Sequence, residues 1–203
     1  MKRILFIFSF IISIFVFSNI LYATDGRDKY LFVGDSRMVR LQYVSDNYTD
    51  YFLAENGRGY SYMNKIMKPK IIEFLDEYPY ATIVFAMGLN DAKNIEPFNI
   101  SRARLNNYAK FYDSIINTYK NARIYIKSID PCEDAFRNTQ YKNYKVIIWN
   151  EFMKEKFPNN FLDTYTYLVE NRFVDLKGKK GTTDGIHFTG YVDSAIYTYI
   201  KRY

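Results

Sequence analysis

The stretch Tyr30-Leu31-Phe32-Val33-Gly34-Asp35-Ser36-Arg37 decides how the rest of the chain is read. Its first four residues form an apolar run of the length and composition of a buried strand. From Met38, Val39 and Leu41 onward the apolar residues fall at helical spacing. Gly34-Asp35-Ser36 is then a tight turn from strand into helix. A serine at such a turn stands with its hydroxyl clear of the sheet and its backbone N–H at a helix N-terminus, where the dipole favours negative charge. The same residues also make an ordinary helix cap, since Asp and Ser are both favoured there. The turn alone therefore selects no function.

Working outward, strands and helices alternate. Residues 51–54 and 123–128 read as strands, and residues 82–87, nearly all apolar, predict the central one. Residues 160–164 predict a short fifth strand. Ser61 is placed to cap a helix carrying Met63, Ile66 and Met67, which Pro69 interrupts or restarts before Ile71, Ile72, Phe74 and Leu75. Helical spacing recurs from Leu105 to Tyr119, from Tyr144 to Met153 and from Val192 to Ile200. Strands separated by helices imply one α/β domain with a parallel sheet covered on both faces. No repeat or low-complexity linker divides it.

Residues 1–23 read differently. Met1-Lys2-Arg3 precedes an uncharged, predominantly apolar stretch from Ile4 to Leu21, and Ala23 offers a small residue before a cut. Leu21 fits the small-x-small pattern loosely, and the run is long enough for an uncleaved anchor. Either way residues 24–203 are expected outside the cytoplasm, secreted or at the cell surface, with membrane contact only through this segment if it is kept.

Composition narrows the chemistry. The formal charge is +6, of which Lys2 and Arg3 supply two, and no nucleic-acid motif or dense basic stripe is present. No nucleic-acid partner is expected. A single cysteine, Cys132, permits no intrachain disulfide and no cysteine metal cluster. The carboxylates of Asp130, Glu133 and Asp134 around it would raise its pKa and leave it a poor nucleophile. His187 is the only histidine, so multi-histidine metal sites are excluded and any imidazole chemistry happens there. Aromatic residues make up 19% of the chain. Tyrosines suit a carbohydrate-binding surface, but a general bias that also enriches Ile, Asn and Lys explains the figure as well. Arg37, Arg58 and the loop 177–180 offer positive charge to an anionic substrate, or simply to solvent.

In an open parallel sheet, ligands bind beyond the carboxyl ends of the strands. Ser36, Gly59, Asn90, Asp184 and His187 are all expected there, each after a strand or in the last loop. A serine hydroxyl needs a base within hydrogen-bond reach, and the base needs a partner on its other nitrogen. His187 and Asp184, three residues apart, suit those two needs. The N–H groups of Ser36 and Gly59 and the Asn90 amide suit an oxyanion, each worth about 3 kcal/mol if well aligned. Gly59 would let the backbone come close, and Gly88 would leave room beneath Asn90. Taken singly, each has a bland alternative: a structural histidine, a turn at Asn90-Asp91, glycines serving loop geometry.

Together, Gly34-Asp35-Ser36, Gly59, Gly88-Leu89-Asn90-Asp91 and Asp184-Gly185-Ile186-His187 resemble, in order and spacing, the four motif blocks of the SGNH (GDSL-like) hydrolase superfamily. The resemblance spans residues 30–187. It implies a three-layer α/β/α flavodoxin-like fold with a parallel sheet of about five strands, and ester hydrolysis with no cofactor and no metal. By position it makes Ser36 the nucleophile, His187 the base and Asp184 its orienting acid, with Ser36, Gly59 and Asn90 forming the oxyanion hole. Gly57 competes with Gly59, but Gly59-Tyr60-Ser61 is closer to the family's Gly-x-Ser/Thr pattern. Asp35 reads as a brace for the turn. Arg37 departs from the usual leucine and resembles a bacterial Gly-Asp-Ser-Arg subgroup. An ordinary α/β-hydrolase fits worse, because Met38 breaks the Gly-x-Ser-x-Gly elbow. The function expected is an exported serine esterase acting on acyl esters of carbohydrate, most simply O-acetyl. An O-acyltransferase using the same triad, and a carbohydrate-binding protein with a relict site, are the alternatives.

Overall fold

A strand with apolar side chains on both faces is stable only inside a sheet covered on both sides. The computed structural model describes residues 26–95, 102–134, 140–177 and 180–203, and in it β1 (Tyr30–Gly34) is such a strand, buried along its whole length. It pairs in parallel with β2 (Asp50–Ala54) on one side and β3 (Thr82–Ala86) on the other, Gly34 lying level with Ala54 and Ala86. β4 (Arg123–Lys127) and β5 (Phe161–Leu162) complete an all-parallel sheet of order β2-β1-β3-β4-β5. This is the flavodoxin-like order. The expected signal segment, residues 1–23, lies outside the described residues, as do Gly178 and Lys179 of the basic loop.

The alternation of side chains along β1 feeds two cores. Leu31 and Val33 join Met63, Ile71, Tyr112, Trp149 and Met153 on one face of the sheet. Tyr30 and Phe32 join Met38, Leu41, Leu168, Val192 and Ile196 on the other. The first face is covered by α3 (Lys68–Glu77), α5 (Arg102–Thr118) and α6 (Asn143–Lys156), and the second by α1 (Ser36–Gln42), α7 (Thr164–Glu170) and α8 (Gly190–Ile200). Three layers result.

Two local expectations change. The helix after β2 starts two residues earlier than a Ser61 cap would put it: α2 (Tyr60–Tyr62) has Gly59 as its N-cap and no capping side chain of its own. The Asp91 carboxylate does that work from elsewhere, accepting the Tyr60 N–H at 2.7 Å. Asp91 lies on α4 (Leu89–Ala92), directly after β3. Nor does Pro69 break the helix. A π-helical turn, Met63–Met67, joins α2 to α3, with the Lys68 N–H bonded to the Met63 carbonyl. Pro69 then sits in the first turn of α3, where a missing N–H is tolerated. The fifth strand is shorter than expected, Phe161–Leu162 rather than 160–164, because Asp163 accepts the Thr166 N–H and starts α7.

Gly88, at the exit of β3, has φ +129 and no room for a side chain: a Cβ there would lie 2.3 Å from the Trp149 ring. The space beneath Asn90 is therefore filled by tryptophan rather than left open. Gly88→Ala is expected to destabilise the protein by about 3 kcal/mol or more, from backbone strain and overpacking together. Urea unfolding reads this directly, and a loss under about 1 kcal/mol would mean that the ring yields.

Candidate active site

Ser36 is the first residue of α1, so its N–H has no acceptor within the helix. The turn that puts it there depends on two neighbours. A Cβ on Gly34 would meet Met38 Cβ at 2.3 Å, so only glycine lets helix and strand approach this closely. Asp35, buried, accepts the Arg37 N–H at 3.2 Å and caps the helix.

His187 arrives from the loop before α8, a segment closed on itself by an antiparallel bridge between Thr182 and Phe188. Its Nε2 lies 3.1 Å from Ser36 Oγ and its Nδ1 lies 2.7 Å from Asp184 Oδ2. The other Asp184 oxygen accepts the N–H groups of Ile186 (2.9 Å) and His187 (2.7 Å). Partial burial works against charge on Asp184. The hydrogen bonds from His187 and Ile186 outweigh it and hold the carboxyl below its ordinary value. An ionised carboxylate only accepts, which makes Nδ1 the protonated nitrogen and leaves the Nε2 lone pair for the serine hydroxyl. Such a relay can take a proton from Ser36 as the oxygen attacks.

Ser36 and His187 open onto a cleft of about 470 Å³, lined also by Asn90, Gly57, Tyr43 and Tyr141. Asn90 follows β3 on α4, and its Nδ2 donates to the Arg58 carbonyl at 3.0 Å, bringing the peptide between Arg58 and Gly59 against the amide. Gly59 itself is packed on the other side by Asp91, whose Oδ2 would lie 2.5 Å from a Cβ at that position. Carboxylate contact is thus one physical reason for glycine there. Gly57 (φ +72) turns the exposed loop that edges the cleft. The five residues expected at the carboxyl ends of the strands all lie at that end of the sheet.

No protein-family sequence profile matches the chain, and no curated protein matches it in sequence. Solved structures do match. A GDSL-like lipase from Bacteroides thetaiotaomicron aligns with TM-score 0.60 over 87% of this chain and 89% of its own, at 17% identity. The catalytic domain of peptidoglycan O-acetyltransferase A from Streptococcus pneumoniae gives 0.54, over 86% and 91%, at 18% identity. An acetyl-xylooligosaccharide esterase from Geobacillus gives 0.59, over 86% and 92%, at 14% identity. The chain has the SGNH-hydrolase fold.

Within this SGNH fold, Arg37 has a different place from the one its charge suggested. It is buried and does not line the cleft. Its Nε donates to Ile186 O (2.9 Å), one terminal nitrogen to Asp130 O (2.6 Å), and the other to Pro131 O (3.0 Å) and Cys132 Sγ (3.4 Å). The guanidinium also lies 4.6 Å from the centre of the Phe188 ring. Arg37 thus grips both neighbours of His187. One turn on, Arg40 donates to Phe188 O at 2.6 Å and pairs with the buried Asp193 at 3.3 Å. From the other side, Glu133, Thr182 and Gly185 form a chain: Gly185 N–H donates to Thr182 Oγ1, which donates to the Glu133 carboxylate. Sequence reasoning offered Arg37 only as a contact for an anionic substrate or for solvent and assigned Arg40, Glu133, Thr182 and Gly185 no part in the site. Their only signal was an Arg-x-x-Arg pair on the helix that follows the serine. Arg58 is exposed and pairs with Glu55. The Cys132 thiol is pushed up as expected, but chiefly by burial, with Asp134 and Asp130 contributing less and Arg37 opposing them.

Burial also pushes the Asp35 carboxyl up to about 6, against the opposing pull of the Arg37 N–H and of the Arg37 and Lys127 charges. The folded protein therefore holds this proton more tightly than the unfolded chain, and ionising Asp35 costs stability as pH rises from 4 through 6, by about 3 kcal/mol in all. Asp35→Asn can still accept the Arg37 N–H and cannot ionise. Its stability relative to wild type should rise by about 2–3 kcal/mol between pH 4 and pH 7.5. Urea titrations at the two pH values check this, and a pH-independent difference would contradict it.

Proposed function

We propose that residues 24–203 form an exported serine esterase that removes acyl groups, most simply O-acetyl, from carbohydrate. The observation that carries this reading is the Asp184–His187–Ser36 relay, with its 2.7 and 3.1 Å spacings, open to a cleft. Ser36 Oγ attacks the ester carbonyl while His187 Nε2 takes its proton, and Asp184 stabilises the imidazolium that forms. The oxyanion is met by the N–H groups of Ser36 and Gly59 and by the Asn90 amide. His187 then protonates the leaving sugar oxygen. A water molecule, deprotonated by the same imidazole, releases the acyl group from Ser36. No step calls for a cofactor or a metal.

Carbohydrate is favoured by Tyr43 and Tyr141 on the walls of the cleft, whose rings offer the apolar faces that sugars stack against. The structural neighbours that act on acetylated sugars support the same substrate class, and the basic start and apolar run of residues 1–23 support export. The likeness to an O-acetyltransferase domain favours a second reading, in which a sugar hydroxyl replaces water as the acyl acceptor.

A fluorophosphonate should add once to the protein, as read by intact mass, and not to Ser36→Ala. Ser36→Ala and His187→Ala should each lower kcat on p-nitrophenyl acetate about 10⁴-fold or more, and Asp184→Asn roughly tenfold less severely. Absence of an adduct on folded wild-type protein would instead favour a carbohydrate-binding role with a relict site. Partition between the two enzymatic readings is measured by adding a sugar acceptor. A hydrolase releases acetate at an unchanged rate, whereas a transferase diverts the acyl group to the sugar.

A further inference from the structure

Tyr141 lies on the loop before α6, far in sequence from every motif, yet it lines the cleft and its hydroxyl donates to Asn90 Oδ1 at 3.2 Å. On the opposite side of the amide, Nδ2 donates to Arg58 O at 3.0 Å and, more loosely, to Asp35 Oδ2 at 3.4 Å. An asparagine amide is nearly symmetric in shape, so its partners decide which end carries the N–H groups. With the amide reversed, Oδ1 would face the Arg58 carbonyl, the Asp35 carboxylate and any oxyanion formed at Ser36. That arrangement places acceptor against acceptor.

We propose that Tyr141 is a positioning residue for the oxyanion site, holding the Asn90 amide with its N–H groups toward Ser36 and polarising them by donating to Oδ1. The inference rests on the reading of Ser36 as a nucleophile and Asn90 as an oxyanion donor. Donation to an amide oxygen strengthens the N–H donors of the same amide, because hydrogen bonds in a chain polarise one another. The tyrosine is well suited to remain the donor. Burial, with the Asp35 charge in second place, holds its phenol above the ordinary value, so the hydroxyl keeps its proton across the working range of a serine esterase. Its ring is partly buried against the core that contains Trp149, and Lys93 Nζ lies 5.8 Å from the ring centre. The ring's position therefore does not depend on the hydroxyl, and Tyr141→Phe removes the donor alone.

The test is a double-mutant cycle on p-nitrophenyl acetate. Tyr141→Phe should lower kcat about five- to tenfold with KM within about twofold, and Asn90→Ala about 10²–10³-fold. The double variant should match Asn90→Ala within about twofold, because among the described residues Asn90 carries the amide to which the Tyr141 hydroxyl donates. Unchanged kcat in Tyr141→Phe, a rise in KM alone, or a double variant that loses the product of the two single effects would each overturn the proposal. A second readout needs no turnover: the Asn90 side-chain amide signals, assigned by their loss in Asn90→Ala, should shift in Tyr141→Phe, and unmoved signals overturn it. The two levels fail separately. A labelled, active wild type with inert Ser36→Ala and unaffected Tyr141→Phe sinks only this inference, whereas a wild type that neither labels nor turns over sinks it together with the reading beneath it.

Discussion

The Arg37 guanidinium ties together three parts of the chain. It leaves the first turn of α1, crosses beneath Ser36, and spends four donor contacts on the loop after β4 and the loop that carries His187. A buried cation is tolerated only when its hydrogen-bonding capacity is met and its charge is offset. Here backbone carbonyls meet the first demand, and the Asp35 carboxylate contributes to the second. Because one of those carbonyls, Ile186 O, belongs to the residue before His187, the bond holds the histidine loop against the helix that carries Ser36. A leucine at this position would cover the same apolar surface, yet it would leave those carbonyls without donors.

The same buried layer shows how charge is managed under the site. Lys127, at the end of β4, pairs with Asp130, which also accepts the Thr164 hydroxyl. Burial depresses the Lys127 ammonium, while Asp130 and Asp35 hold it up. Asp35 is buried within this group, and burial raises its pKa despite the opposing charges of Arg37 and Lys127. Its two recorded partners are an N–H of the turn and the Asn90 amide. The cost of keeping a carboxylate there is offset by geometry, since one side chain caps α1 and touches Asn90 on α4.

Helix ends near the site are likewise supported from a distance. Asp91 receives the first N–H of α2, the Tyr108 hydroxyl at 2.7 Å and an ion pair from Arg104 at 3.3 Å. The Asn90-Asp91 pair thus splits its work between neighbours: asparagine faces the cleft and aspartate faces the wall behind Gly59. Trp149 beneath Gly88 closes the same region, its ring edge-on to Tyr108 at 4.8 Å.

What the sequence by itself determined were the strands, the parallel α/β class and the residues grouped around Ser36. Runs such as Thr82–Ala86 are apolar on both faces, which only a doubly covered sheet accommodates, and the glycines and the lone histidine are sparse enough in this chain for their order to carry information. Tertiary structure alone decided the meaning of Arg37, Gly59, Gly88 and Tyr141. Arg37 has the charge of a substrate-binding residue, and its burial follows from carbonyls 93 to 149 positions away. Gly59 and Gly88 are shaped by Asp91 and Trp149, and Tyr141 by an amide 51 positions earlier. Periodicity and composition report the environment averaged along one segment. A contact between single side chains on separate segments has no period, so it appears only when the chain has folded.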